Sequence, residues 1–291
     1  MKIVEIKSLE YPCLLRQIND PPEKLYCKGS WDANLFNNCL AVVGSRRMTV
    51  YGKQITNELV SKIALSGITI VSGFMYGVDA QAHKAALSVG GKTIAVMPCG
   101  IDLIHPGHQK DLYEQIIAEG SLIISEFERN FPPARWTYPK RNRIVAGLSQ
   151  ATLVIEGSSK SGTLITAEFA KKFKRKLFAV PGPLTSSLSQ ATSQLIKEGA
   201  SLVADPDDVL GYYGLSRSKD SANPFLESNL SELEKDILKK LRQEPKEFDA
   251  LCRLTKISAS KLGTVISFML LKGLVEEESG KYYVSKSRFS A

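Results

Sequence analysis

The chain has 291 residues, 43% of them apolar and 23% charged, a globular composition sufficient for one large domain or for a large and a small one. Its 38 Lys and Arg outnumber 30 Asp and Glu, and the formal net charge of +8 favours polyanionic partners without specifying a fold. The five cysteines form no C-x-x-C pair, no signal-peptide pattern opens the chain, and no apolar run approaches the roughly 18 residues of a membrane helix. The expectation is a cytoplasmic protein with reduced thiols and no membrane partner.

Residues 1–39 read as an N-terminal extension, with "DPPEKLYCKG" (20–29) an extended lead-in to the first strand. From residue 40 short apolar runs alternate with amphipathic stretches. The strand candidates are "LAVVG" (40–44), "ITIVSG" (68–73), "KTIAVMP" (92–98), "SLIISE" (121–126), "ATLVIE" (151–156), "KLFAVPG" (176–182) and "ASLV" (200–203). Continuous Val- and Ile-rich strands separated by helices predict an α/β fold, a doubly wound, Rossmann-like parallel sheet over residues 40–212. Ligands of such sheets bind beyond the carboxyl ends of the strands.

The loops at those ends carry the candidate chemistry. "GSRRMT" (44–49) offers Gly44 for a tight turn, the Ser45 hydroxyl, and Arg46 and Arg47 beside the next helix N-terminus, a combination suited to phosphate. It is not the G-x-G-x-x-G fingerprint of hydride chemistry. In "SGFMYGVDAQAH" (72–83), Gly73 and Gly77 permit close backbone approach. Asp79 reads there as an acid at a helix start, and His83 as a packing or surface residue. "PCGIDLIHPGH" (98–108) spaces Cys99, Asp102, His105 and His108 like ligands, but its prolines and glycines break zinc geometry, and no metal is expected. "VGGKT" (89–93) lacks the first glycine of a P-loop.

"YPKRNRIVAGLS" (138–149) sets Lys140, Arg141 and Arg143 beside Tyr138 at a helix start, inside a stretch from Arg129 to Ile155 without Asp or Glu. A helix N-terminus favours carboxylates, so cations there imply an anion from outside the chain. With Arg135 they form the pattern of cations around an aromatic that single-stranded nucleic acid uses. In "EGSSKSGTLITAEFA" (156–170), Ser161 and Gly162 precede a helix and offer a further phosphate site, whereas "KKFKRK" (171–176) reads as solvated surface. No catalytic triad, carboxylate pair or metal cage stands out, so the reading is binding without catalysis or cofactor.

Residues 213–230 read as a linker. Over 231–288, three helices and a hairpin follow: "SELEKDILKKLRQ" with a Ser231–Glu234 capping box, "EFDALCRLT", "SASKLGTVISFMLLKG" ending at Gly273, and "LVEEESGKYYV" turning at Ser279-Gly280. This predicts a small C-terminal winged-helix domain. Its charge is near balance, which leaves DNA-groove reading and protein contact both open.

The ordered series "AVVGSRR", "IVSGFMYGVDAQAH", "GIDLIHP", "ISE", "RNRIVAGLS", "LVIE…SGTLITAEFA", "LFAVPG" and "LIKEGA" resembles the DprA/Smf family (DNA-processing protein A), and the trailing segment resembles the winged domain of many members. The resemblance implies an extended Rossmann domain that binds single-stranded DNA without sequence preference and works as a homodimer. It also implies protection of incoming DNA and loading of the RecA recombinase in natural transformation. By that similarity Gly44, Ser45, Arg46, Arg47, Ser72, Gly73, Arg141, Asn142, Arg143, Ser161 and Gly162 line the DNA pocket. Arg135 and Tyr138 sit where the family places a cation and often an aromatic. Tyr76, Met75, His105 and the 189–196 loop depart from the family pattern. Two alternatives belong to other classes. One is a nucleotide phosphoribohydrolase of the lysine-decarboxylase-like family, echoed in "SGTLITAE" with Glu168 as its acid, and the other is a duplex-DNA regulator reading through the winged segment.

Overall fold

The structure, a computed structural model, describes residues 1–215, 231–271, 274–278 and 280–284. The chain divides into two compact units, Met1–Ser218 and Lys219–Ala291.

All seven expected strands of the first unit form: β3 (Cys39–Val43), β4 (Thr69–Gly73), β5 (Thr93–Val96), β6 (Leu122–Ser125), β7 (Ala151–Val154), β8 (Lys176–Ala179) and β9 (Ser201–Leu202). They are mutually parallel. The segment expected as a lead-in instead extends this sheet. β1 (Lys2–Glu5) and β2 (Lys24–Gly29) pair antiparallel with each other, and β2 pairs antiparallel with β6. The order is β1-β2-β6-β5-β4-β3-β7-β8-β9, a mixed nine-stranded sheet. Between the strands run α1 (Cys13–Arg16), α2 (Val50–Leu65), α3 (Val78–Leu87), α4 (Lys110–Ala118), α5 (Thr137–Leu148), α6 (Gly162–Lys172), α7 (Gln190–Lys197) and α8 (Asp207–Leu210).

Alternation along β3 explains the double winding. Ala41 and Val43 face one layer, where Ile144, Val145 and Leu148 of α5 and Ala167 and Ala170 of α6 cover the sheet. Leu40 and Val42 face the other, against Val60 and Ile63 of α2 and Ala82 and Ala86 of α3. Because successive side chains point to opposite faces, a strand buried on both sides must be apolar at every position, as β3 is. The chain leaves β3 toward β4 and leaves β7 toward β8, in opposite directions from adjacent strands. The crevice between those two exits is where a doubly wound sheet places its ligand.

The second unit has α9 (Glu232–Gln243), α10 (Phe248–Thr255) and α11 (Ala259–Leu271). The expected Ser231–Glu234 capping box is present. β11 (Val275–Glu278) and β12 (Lys281–Val284) form the expected hairpin, and the two-residue β10 (Lys246–Glu247) adds a third strand. Ile237, Leu241, Leu251, Leu262, Ile266 and Met269 are its core. The linker expected at 213–230 lies outside the described residues from 216 onward, as do Gly273 and Ser279.

One buried polar group ties α3 to the strand ends. His83 lies fully buried with Nε2 2.8 Å from the Gly73 carbonyl and Nδ1 2.6 Å from the Thr93 hydroxyl. A neutral imidazole donates from Nε2 to the Gly73 carbonyl, while Nδ1 faces the Thr93 hydroxyl, whose own proton goes to the Ile70 carbonyl at 2.7 Å. Burial lowers its pKa to about 4, with the Gly73 carbonyl opposing and Arg141 adding to the depression. Between pH 6.5 and 4 the unfolded histidine takes up a proton that the folded one refuses, so this group's stability contribution is lost as pH falls. We expect wild type to lose about 3 kcal/mol relative to His83→Gln between pH 7 and 4, read by urea unfolding. Parallel pH profiles for the two proteins would contradict this placement.

Candidate nucleic-acid interface

The three cations at the start of α5 do not behave alike. Arg141 is buried at 3% exposure, donates from Nη1 to the Val96 carbonyl at the end of β5, and from Nε to Asn142 Oδ1 at 3.1 Å. Its Nη2 stands 4.0 Å from Asp79 Oδ2. Gly73 makes this possible, because a Cβ there would collide with both the guanidinium and the Asp79 carboxylate. Burial raises the Asp79 pKa, and Arg141 and then Arg46 pull it back. Arg143, equally buried, pairs with Glu126 and lies 3.0 Å from Asp20. Lys140, half exposed, reaches Glu126 at 3.3 Å. The expectation that these cations lack a carboxylate of the chain is therefore corrected. Acids from β4–α3, from the end of β6 and from the N-terminal segment come to them, although none lies between residues 129 and 155.

A second correction concerns the start of α2. Its N-terminus is occupied by the chain itself. Glu156 accepts from the Thr49 amide at 2.7 Å and the Thr49 hydroxyl at 2.8 Å, while Thr49 caps Gly52. Carboxylate and cap use the Thr49 and Gly52 amides, two of the donors this helix end offers to an anion. Ser45 is likewise committed. Its hydroxyl accepts from the Arg47 amide, its amide donates to the Glu156 carbonyl, and its own carbonyl accepts from Val78. Ser72 is buried and donates to the Val42 carbonyl. Of the expected pocket residues, Ser45, Ser72, Gly73, Arg141 and Arg143 form scaffold beneath the surface.

What faces outward is a second set. Arg46 and Arg47 are exposed, and Arg46 lies over the Tyr138 ring at 4.9 Å. The Tyr138 hydroxyl meets His105 Nε2 at 2.8 Å. Burial and then the Arg46 charge lower the His105 pKa, which favours the neutral imidazole beside that hydroxyl. Arg135 and Gly162 are exposed, while Gly44, Asn142 and Ser161 are partly so. Asn142 Nδ2 reaches the Gly162 carbonyl at 3.5 Å, and Ser161 caps α6 at the Thr163 amide. The ligand-like spacing in 98–108 disperses: Asp102 pairs with Lys28 at 2.8 Å, His105 turns to Tyr138, and His108 stacks on Tyr76 at 5.1 Å.

Sequence reasoning missed several aromatics here. Trp136 is 52% exposed and packs edge-on against Phe127 and Phe131, with Lys140 over both Phe127 and Trp136. Tyr76 is 43% exposed. The signal was present in "FPPARWTYP", where three aromatics surround Arg135 without an acid. The surface thus combines outward arginines, a cation backed by a ring and exposed aromatic faces. Such a surface suits the phosphates and bases of an unpaired strand.

The family model for DNA recombination-mediator protein A matches residues 2–214, and that for the DprA winged helix domain matches residues 221–281. Protein Smf of Synechocystis sp. is 33% identical over 309 residues, covering 94% of this chain and 77% of its own length. The X-ray structure of DNA processing protein A from Streptococcus pneumoniae aligns with TM-score 0.67 and 38% identity, over 72% of this chain and 73% of that one. DNA processing protein A from Helicobacter pylori, described for its single-stranded DNA binding mode, aligns with TM-score 0.65 and 33% identity, over 73% of this chain and 96% of that one. On the match across residues 2–214 and the 33% identity to a relative covered over 77% of its length, the chain belongs to the DNA recombination-mediator protein A family.

Proposed function

We propose that the chain binds single-stranded DNA along the outward arginines and aromatics at the strand ends, as a binding protein without turnover. The observation that carries this reading is Arg46 seated over Tyr138 beside Arg47, at the crevice where β3 and β7 diverge. A guanidinium backed by a ring meets a phosphate with its charge and a base with its face, and neither contact depends on base identity. The Helicobacter pylori relative, described as binding single-stranded DNA, supports the same ligand. The hydrolase alternative has less support, since Glu168 stands exposed on α6. Loading of RecA, homodimer formation and a role in DNA uptake by transformation in the cytoplasm extend this reading through the family. Faster RecA filament assembly on protein-bound strands tests the loading step, and no acceleration contradicts it.

In anisotropy titrations we expect a single strand to bind more tightly than a duplex of equal length, with a log–log salt slope of about −0.7 per phosphate contact. Tighter duplex binding contradicts the proposal. Arg46→Ala should reduce that slope by about 0.7 at an unchanged melting temperature, because the side chain is exposed. Tyr138→Ala should cost ~1–3 kcal/mol of affinity with the slope nearly constant, since stacking releases no counterions.

Arg141→Met should act differently. It leaves Asp79 buried without its cation, and we expect a loss of about 3–5 kcal/mol in unfolding free energy. An Arg141→Met protein with wild-type stability and lost binding would make Arg141 a direct contact instead.

A further inference from the structure

Beside the Arg46 loop lies a cavity of about 340 Å³ between α3 and the start of α4, whose wall includes Tyr76 of the surface described above. Its size is at the lower end of small-ligand pockets, which span about 300–1,000 Å³. Met48 and Leu112 give it apolar wall, and Lys84 brings a cation. Tyr76 and His108 line it as a parallel pair, with ring centroids 5.1 Å apart and planes 4° off parallel. Gln109 also lines it. That side chain is 8% exposed, and its amide nitrogen, Nε2, has no hydrogen-bond partner. Buried amide donors are almost always paired, so this amide has a hydrogen-bonding need that the protein alone does not meet, and an acceptor in the cavity would satisfy it once the side chain turns toward the opening.

The cavity is joined to the proposed strand path by backbone. Gly77, in its wall, has a φ of 71°, and a Cβ there would collide with the Ser45 and Arg46 carbonyls. The next residue, Val78, donates its amide to the Ser45 carbonyl at 3.2 Å. Met48 follows Arg46 by two positions. The Arg46 loop and the cavity are therefore neighbours, and the ring pair, the buried amide and the volume define what fits.

We propose that this cavity receives one base of the bound strand, its face against the Tyr76–His108 pair and an acceptor on its edge toward the Gln109 amide. This rests on the single-strand reading above. Every nucleobase carries a ring-nitrogen or carbonyl acceptor, so the site is tolerant of sequence while requiring a base.

The test uses the full chain, an oligothymidylate and the same strand carrying 5-iododeoxyuridine. Photo-crosslinking should label a peptide containing Tyr76 or His108. Tyr76→Ala, an exposed position, should weaken binding about tenfold, and Gln109→Leu several-fold, both without change in salt slope because no phosphate contact is lost. Gln109→Leu should keep or raise the melting temperature, since it removes an unpaired buried amide. If wild type binds and both variants bind equally well, with crosslinks confined to Tyr138 and Trp136, this inference falls and the single-strand reading stands. If wild type binds no single strand, both fall.

Discussion

A guanidinium cannot enter a protein interior without acceptors, and Arg141 has entered this one. It draws the Val96 carbonyl of β5, Asn142 and the Asp79 carboxylate of α3 around itself, and Gly73 at the tip of β4 leaves room for it. β5, α3 and α5 are thereby tied to one planar group at the carboxyl ends of the central strands, with β4 packed against it. The start of α5 inherits its position from this anchor. Tyr138, three residues earlier, consequently lies where Arg46 covers it and His105 meets its hydroxyl. His83, bridging Gly73 and Thr93, braces the same strand ends from α3.

Glu156 plays the matching part across the crevice. By accepting from the Thr49 amide and hydroxyl at the α2 N-terminus, it puts a carboxylate of the chain where a backbone-bound anion would otherwise sit. The internal carboxylates Asp79 and Glu126 meet the buried cations Arg141 and Arg143, and Glu156 meets Thr49 at the α2 start. Arg46, Arg47 and Arg135 remain exposed at the surface. This division separates the charge that holds the fold from the charge available to a polyanion, and only the second kind is screened and exchanged with salt.

The sheet was legible because a strand buried on both faces must be apolar throughout, which no amphipathic helix imitates in five residues. β2 was less so: "KLYCKG" alternates, and its antiparallel partner β6 lies almost a hundred positions away, a pairing that local pattern does not encode. The winged unit's helices were readable from their caps and periodicity, whereas two-residue β10 exists only through its pairing with β12. At the site, the acid-free stretch was a true property of the sequence that misled about space. Asp20, Asp79 and Glu126 reach Arg141 and Arg143 from outside it. The residue types of the candidate interface were thus legible, but which of them are buried was decided by packing between distant segments. Tyr76 and His108, stacked from separate loops, show the same limit.

A crystal structure of the protein with a short oligothymidylate tests the central claim most directly. The account predicts phosphate oxygens about 3 Å from the Arg46 guanidinium, with the strand crossing the β3–β7 crevice and Arg141 still bound to the Val96 carbonyl. A strand held by a displaced Arg141, or one bound wholly to the second unit, would contradict it.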